Sequence, residues 1–249
     1  YVTPRHIGLY AGAPEEAPAH LVQRICGTGI EVISQAADAV SLGRARLALA
    51  AGTESMSRNP IAAYTHRNGF TMGKVEFKDF LWEALYDPAA CVTMGDTAEN
   101  LAGKYGIDRE RVDRYAERSF ARAVAAREAG RLAEEIVPVV SETFALEGLE
   151  ARGIKLPRGV ENVAADSHIR PSPYEILAKL RPAFGGVQTG GNSSAIVDGA
   201  GAVLVAQSAY LRDNGLAAKA RILAAAAVGV PPALMGIGPA PAIRAVLEA

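Results

Sequence analysis

The 249-residue chain carries 26 basic and 27 acidic side chains, a formal net charge of −1, and 49% hydrophobic residues. Near-neutrality excludes the basic footprint of a nucleic-acid binder and the polybasic signal of a membrane-surface protein, and the apolar content supports a large core rather than disorder. Two cysteines, Cys26 and Cys91, are too few for a disulfide framework or a cysteine-rich zinc site, which points to a reducing, cytoplasmic compartment.

No basic stretch followed by an apolar run opens the sequence, so a signal peptide is not expected. Residues 21–25 read as a short strand, and Cys26-Gly27-Thr28-Gly29 as a tight turn. From Ile30 the apolar positions Ile30, Ile33, Ala37 and Val40 recur at helical spacing, with Gly43 as the stop. Residues 46–51 then form a short apolar strand. Strand, helix and strand in that order predict a right-handed crossover in a parallel, buried sheet.

From residue 55 to 186 the texture changes to short polar loops, helices and scattered aromatics, which reads as an insertion with its own small core. Asp96 as cap with Glu99 three residues on predicts a helix start. A second helix is expected over residues 109–128, with Val112, Tyr115, Ala116, Phe120 and Val124 inward and Gly130 as its stop. Residues 198–206 return as an apolar strand, residues 208–214 as a helix ended by Gly215, and residues 220–228 as a further strand. Residues 222–243 carry no charge and are long enough to span a bilayer, but four prolines and three glycines break them repeatedly. The last residues, 242–249, read as a helix without a stop signal, and the first residue is Tyr1, so a piece of a longer protein is expected.

Cys26 is the strongest candidate for chemistry. At the end of a strand and the start of a helix, unpaired backbone N–H groups and the helix dipole favour negative charge on its sulfur. Gly27 and Gly29 leave room for a bulky acyl group. Cys91 lacks such a setting and reads as structural. The Gly27-Thr28-Gly29 run fails the dinucleotide fingerprint because Val32 stands at its third glycine position. His6, His20, His66 and His168 show no metal-ligand spacing, so no metal is expected.

The segment Val22-Gln23-Arg24-Ile25-Cys26-Gly27-Thr28-Gly29-Ile30, followed by Ala51-Gly52-Thr53-Glu54-Ser55-Met56-Ser57-Arg58, resembles the nucleophile segment of thiolases and the strand and loop after it. The resemblance continues through Met94-Gly95-Asp96-Thr97-Ala98-Glu99-Asn100, Lys179-Leu180-Arg181-Pro182-Ala183-Phe184, Gly190-Gly191-Asn192-Ser193-Ser194 to Gly199, and Met235-Gly236-Ile237-Gly238-Pro239. It implies a layered αβαβα thiolase-like α/β fold, incomplete here, with an inserted loop domain. The implied division places residues 1–54 in the N-terminal half with the nucleophile, 55–186 in a CoA-binding loop domain, 187–217 back in the N-terminal half, and 218–249 at the start of the C-terminal half.

The resemblance also implies an activity, acyl transfer that forms or cleaves β-ketoacyl-CoA through an acyl-cysteine intermediate. Cys26 matches the acyl-accepting cysteine, Ser194 the serine that bonds the pantetheine arm, and Leu81, Met94, Phe184 and Met235 its apolar tunnel. Arg170 falls in a variable loop near the nucleotide phosphates. Acetyl-CoA and acyl-CoA are the implied substrates, with no separate cofactor, and a homodimer or homotetramer is the implied assembly, without nucleic acid or membrane. The sequence departs from the family pattern at Gln23 and Val197, where many members have Asn, and at Thr93, where short-chain members have His. The family's later histidine and second cysteine motifs have no match, so the piece alone is expected to be inactive. A ketoacyl-synthase-like condensing enzyme and a non-catalytic CoA- or lipid-binding relative remain open alternatives.

Overall fold

The computed structural model describes residues 3–64 and 66–249. Its helices are α1 (Thr3–Tyr10), α2 (Thr28–Ser41), α3 (Phe80–Ala84), α4 (Met94–Tyr105), α5 (Arg109–Glu128), α6 (Tyr174–Leu177), α7 (Ser208–Asp213) and α8 (Pro239–Glu248). Its strands are β1 (Leu47–Ser55), β2 (Ile61–Ala62), β3 (Lys78–Asp79), β4 (Tyr86–Asp87), β5 (Val92–Thr93), β6 (Val139–Val140), β7 (Glu142–Phe144), β8 (Arg152–Ile154), β9 (Asn162–Val163) and β10 (Asp198–Ala206). The chain divides into two compact units, Tyr1–Thr28 with Arg118–Pro171, and Gly29–Glu117 with Ser172–Ala249.

In the first unit, α1 is tied to the chain after it by Arg5, whose guanidinium donates to the Ala17 carbonyl at 2.7 Å. The Tyr10 hydroxyl donates to the Glu150 carbonyl. The unit also holds the C-terminal part of α5, from Arg118, and two short antiparallel pairs, β6 with β9 and β7 with β8. Arg170 lies over the Phe120 ring at 5.3 Å and against His168 Nδ1 at 3.0 Å, and Arg127 donates to the Ile169 carbonyl at 2.8 Å.

In the second unit the longest pairing is β1 with β10, nine residues in antiparallel register from Leu47 opposite Ala206 to Ser55 opposite Asp198. Asp198 closes one end by accepting from the Ser57 N–H at 2.9 Å and from the Ser57 hydroxyl. At the other end Gln207 donates its backbone N–H to Arg46 and its amide to the Val40 carbonyl, which fastens the ribbon to α2. Among the described residues the buried side chains are Val40, Ala50, Ala102, Ala116 and Leu177, joined by three polar ones, Thr97, Asp113 and Thr189.

Several elements follow the sequence reading. The second helix begins at Thr28 and ends before Gly43, whose φ of 70° is the left-handed stop. The fifth spans residues 109–128 ahead of Gly130 at φ 69°, and the seventh ends before Gly215 at φ 63°.

Others are corrected. Residues 21–25 form no strand but a loop running into a 3-10 turn, Ile25–Gly27. Residues 220–228 are likewise irregular. An apolar run becomes a strand only when a neighbour takes up its backbone groups, and none does so here among the described residues. The expected parallel, buried sheet is an antiparallel two-stranded ribbon with Leu49, Val203 and Leu204 exposed, because two strands alone cannot bury both faces. Tyr115, expected inward, is 65% exposed, and its place on the inner face of α5 is taken by Asp113.

The cap of α4 is also one turn earlier than the spacing suggests. Thr93 is the N-cap, its hydroxyl accepting from the Asp96 N–H at 3.2 Å, while the Asp96 carboxylate accepts from the Thr93 N–H at 2.8 Å. A reciprocal box of this kind satisfies two of the four donors a helix start leaves open. Replacing Thr93 by Ala removes one arm and should lower stability by about 1 kcal/mol in denaturant unfolding. An unchanged midpoint would show that the box does not set the start of α4.

Candidate active site

Cys26 is a free, exposed thiol in the 3-10 turn that leads directly into α2. The residue before it, Ile25, has φ 46°, a left-handed conformation that β-branched side chains avoid. Local hydrogen bonds hold it there. Gln23 Oε1 accepts from the Ile25 N–H at 2.8 Å, and Thr28 Oγ1 accepts from the Arg24 N–H at 2.7 Å. The Thr28 hydroxyl lies 3.0 Å from Gln23 Oε1 and 2.8 Å from the Ile25 carbonyl, so it closes the turn from the helix side. A Cβ added to Gly29 would meet only open space, in keeping with an accessible sulfur.

Leu81, Met94, Phe184, Ser194 and Met235 lie in the second unit, where α4 gathers three of them, whereas Arg170 lies in the first. Met94 is its first residue, half-buried. A Cβ on Gly95 would stand 2.4 to 2.5 Å from three ring atoms of Phe184, so that ring is seated on the helix backbone at the one residue type that admits it. Further along, Asn100 donates to the Ala233 carbonyl at 3.0 Å, and a Cβ on Gly236 would come within 2.7 Å of Leu101. These contacts dock the turn Pro232–Ile237, which carries the exposed Met235, onto α4. Ser194 is exposed in the irregular segment between Asn192 and β10. Leu81 lies half-buried on α3, whose start is capped by Asp79 accepting from the Leu81 N–H at 2.9 Å.

The loop before Ser194 is held by a set of polar contacts from α4 and α5. Glu99 Oε2 accepts from the Val187 N–H and its Oε1 from the Gln188 N–H, each at 2.9 Å. The Gln188 side chain donates to the Gly95 carbonyl at 2.6 Å. Asp113, fully buried, accepts from Asn192 Nδ2 at 2.8 Å and from Arg109 Nε at 2.7 Å. Asn192 Oδ1 in turn accepts from the buried Thr189 N–H at 2.7 Å, and Arg109 donates to the Leu177 and Leu180 carbonyls.

None of Glu99, Arg109, Asp113, Gln188 or Asn192 stood out in sequence as a site residue. The available signal was Asp113 beside the apolar stripe of α5 with Arg109 one turn before it, the pattern of a buried, paired carboxylate. Among the described residues no group of three or more His, Cys, Asp or Glu side chains is placed to hold a metal ion. No helix there is long and apolar enough to cross a membrane.

Three carboxyls are held below their ordinary values. For Glu99, burial pushes the pKa up, but the donors from Val187 and Gln188 outweigh it. Asp96 is lowered by the Thr93 N–H and hydroxyl, and Asp198 by the Ser57 hydroxyl and N–H.

The fold just described is a thiolase-like α/β fold, and its relatives are acyl-CoA enzymes by name. Residues 2–209 match the family model of the thiolase N-terminal domain, and the chain belongs to the thiolase family. It is 40% identical over 252 residues to an acetyl-CoA acetyltransferase of Paracoccus denitrificans and 37% identical over 248 residues to the human mitochondrial 3-ketoacyl-CoA thiolase, covering 98% of this chain in each case. The solved structure of the human mitochondrial enzyme in complex with CoA superposes with a TM-score of 0.89 at 35% identity, over 99% of this chain. The acetyl-CoA acetyltransferase of Syntrophomonas wolfei gives 0.90 at 34% identity. The chain spans only 59 to 60% of the length of these relatives.

The lowered carboxyls fix a pH dependence. A group whose native pKa lies below its unfolded value stabilises the fold fully above the unfolded value, and that contribution drains away as pH falls through the native one. The unfolding midpoint should therefore hold steady down to about pH 5 and decline below it, and Glu99→Gln should flatten the decline. A midpoint that falls equally in wild type and variant would mean that Glu99 is not one of the groups responsible.

Proposed function

We propose that the protein of which these residues are part is an acyl-CoA C-acyltransferase of the thiolase type, with Cys26 as its nucleophile. What supports this is family membership together with the position of Cys26, an exposed thiol presented by a braced turn at the start of a 14-residue helix. In the degradative direction the Cys26 thiolate attacks the β-carbonyl of a β-ketoacyl-CoA. The bond between the α- and β-carbons breaks, the acyl group stays on sulfur, and the departing α-carbon takes a proton to leave as acetyl-CoA. The thiolate of a second CoA then attacks the acyl-cysteine, releasing the shortened acyl-CoA and restoring Cys26. The biosynthetic direction runs these steps in reverse.

Within this reading, residues 55–186 with Ser194 and Met235 receive the CoA arm. Met94, Phe184, Met235 and Leu81 supply its apolar lining, and the Ser194 hydroxyl hydrogen-bonds the pantetheine arm. No base for the α-proton is assigned within these 249 residues, and no separate cofactor is invoked.

The test uses the protein made from the complete reading frame that carries this sequence. Cys26→Ser should reduce thiolysis of acetoacetyl-CoA by at least about a thousand-fold, as loss of a nucleophile does elsewhere. Iodoacetamide should label Cys26 ahead of Cys91, and acyl-CoA should protect it. Full turnover by the variant, or preferential labelling of Cys91, would reject the assignment.

The same reading takes the protein to be a homodimer or homotetramer that pairs through β1, whose edge away from β10 has no strand partner among the described residues. Light scattering at micromolar concentration should give at least twice the monomer mass. A monomer would overturn the assembly and leave the chemistry standing.

A further inference from the structure

The established relationship gives no role to two carboxylates that the structure uses with unusual economy. Glu99 on α4 and Asp113 on α5 bind opposite ends of the loop of residues 187–192, two residues short of Ser194. At the first end, the Glu99 carboxylate takes the Val187 and Gln188 N–H groups, one on each oxygen, and the Gln188 side chain at 3.2 Å as a further donor. At the second end, Asp113 holds Asn192, whose own amide donates to the Val187 carbonyl at 3.0 Å and so folds the loop back on itself.

The Glu99 clamp also reaches the apolar residues. Gln188 accepts the Ala183 N–H on its carbonyl at 2.8 Å and donates its side chain to Gly95, on whose backbone Phe184 is seated. Gly186 completes the fit, since a Cβ there would lie 1.9 Å from Glu99 Oε2. That glycine leaves space for the carboxylate alone.

We propose that Glu99 is a positioning residue for acyl-CoA binding, a charged clamp that sets the 187–192 loop and thereby both the Ser194 hydroxyl and the Phe184 ring. It acts through the loop, whose Val187 and Gln188 N–H groups it holds. The inference rests on the thiolase-type reading given above. A neutral amide cannot replace it. Glutamine at this position keeps one acceptor and turns a donor toward the second loop N–H, which leaves that N–H unpaired.

Two variants of the full-length protein probe the clamp from opposite sides. Glu99→Gln weakens the acceptor, whereas Gly186→Ala leaves the charge intact and pushes it off the loop. Each should raise KM for acyl-CoA about ten-fold with kcat within about two-fold, the signature of lost uniform binding. The rate of Cys26 alkylation should not change. A merely structural role would instead lower the active fraction, and with it apparent kcat, at unchanged KM. Because the three atoms nearest the added methyl at residue 186 all belong to the Glu99 carboxylate, Glu99→Ala combined with Gly186→Ala should have the KM of Glu99→Ala alone.

Unchanged KM in Gly186→Ala, or a double variant additively worse than either single one, would overturn the proposal even if Glu99→Gln fails to fold. Wild-type protein is titrated with CoA first. If it neither binds CoA nor cleaves acetoacetyl-CoA, the functional reading falls and this inference with it. If it does both while the variants keep wild-type KM, only the role of Glu99 is lost.

Discussion

A carboxylate that accepts two backbone N–H groups of a loop is the constraint from which the second unit is organised. Glu99 stands one turn and a half into α4, and the same helix carries Met94, the Gly95 seat of Phe184, and the Asn100 and Leu101 contacts to the turn of Met235. Helices are stiff on this length scale, so features attached to one of them keep their mutual spacing. Moving Glu99 would shift a loop that has little other regular structure. The reciprocal Thr93–Asp96 box matters for the same reason, because it fixes where α4 begins and hence which side chains fall on each face.

The second carboxylate, Asp113, shows how such a loop is kept from collapsing. A fully buried charge is expensive unless paired and hydrogen-bonded, and Asp113 has both, with Arg109 on one oxygen and Asn192 on the other. Arg109 spreads the interaction to the Leu177 and Leu180 carbonyls, which close the segment that precedes the loop. No buried side-chain polar atom among the described residues lacks a partner. A satisfied polar network of this kind specifies one loop conformation, whereas an apolar plug of equal volume would permit several. The glycines fit the same logic. Gly191 lies so close to Leu177 and Leu180 that a Cβ would come within 2.6 Å of a terminal methyl of each, so any larger residue would have to displace those side chains.

How much of this could be read from the sequence depended on whether the determining forces are local. Helix α2, the length of α5 and the stops at Gly43, Gly130 and Gly215 follow from spacing and from glycine's freedom at positive φ, and they were legible. Strands were not, because an apolar run reports only that a segment seeks burial. Residues 198–206 find β1 and pair; residues 220–228, equally apolar, find no neighbour among the described residues. The antiparallel sense of β1 and β10 depends on residues about 150 positions apart, which periodicity within one window cannot encode. Family resemblance marked Cys26, Met94, Phe184, Ser194 and Met235. It did not mark Glu99, whose three-residue spacing from Asp96 imitates a capping pair. The two candidates differ only in which donors lie within reach, and that is a tertiary fact.

The turn before Cys26 presents the opposite case, in which a local sequence departure acquires meaning only from geometry. Gln23 is one methylene longer than the Asn common at its position. That extra length lets its carbonyl reach forward to the Ile25 N–H while staying within range of the Thr28 hydroxyl. Ile25 at φ 46° is costly by itself, on the order of 1 to 3 kcal/mol for a residue forced from its preferred regions. Such a conformation persists only where its surroundings over-determine it, and here Gln23, Thr28 and the start of α2 converge on the two residues Arg24 and Ile25. The strain therefore does not register as disorder. It is converted into a fixed direction for the chain at residue 26, which brings the sulfur to the surface at a point where neither Gly27 nor Gly29 adds a side chain to cover it. A glycine at residue 25 would relieve the strain, but it would also free the backbone that Gln23 and Thr28 are arranged to hold.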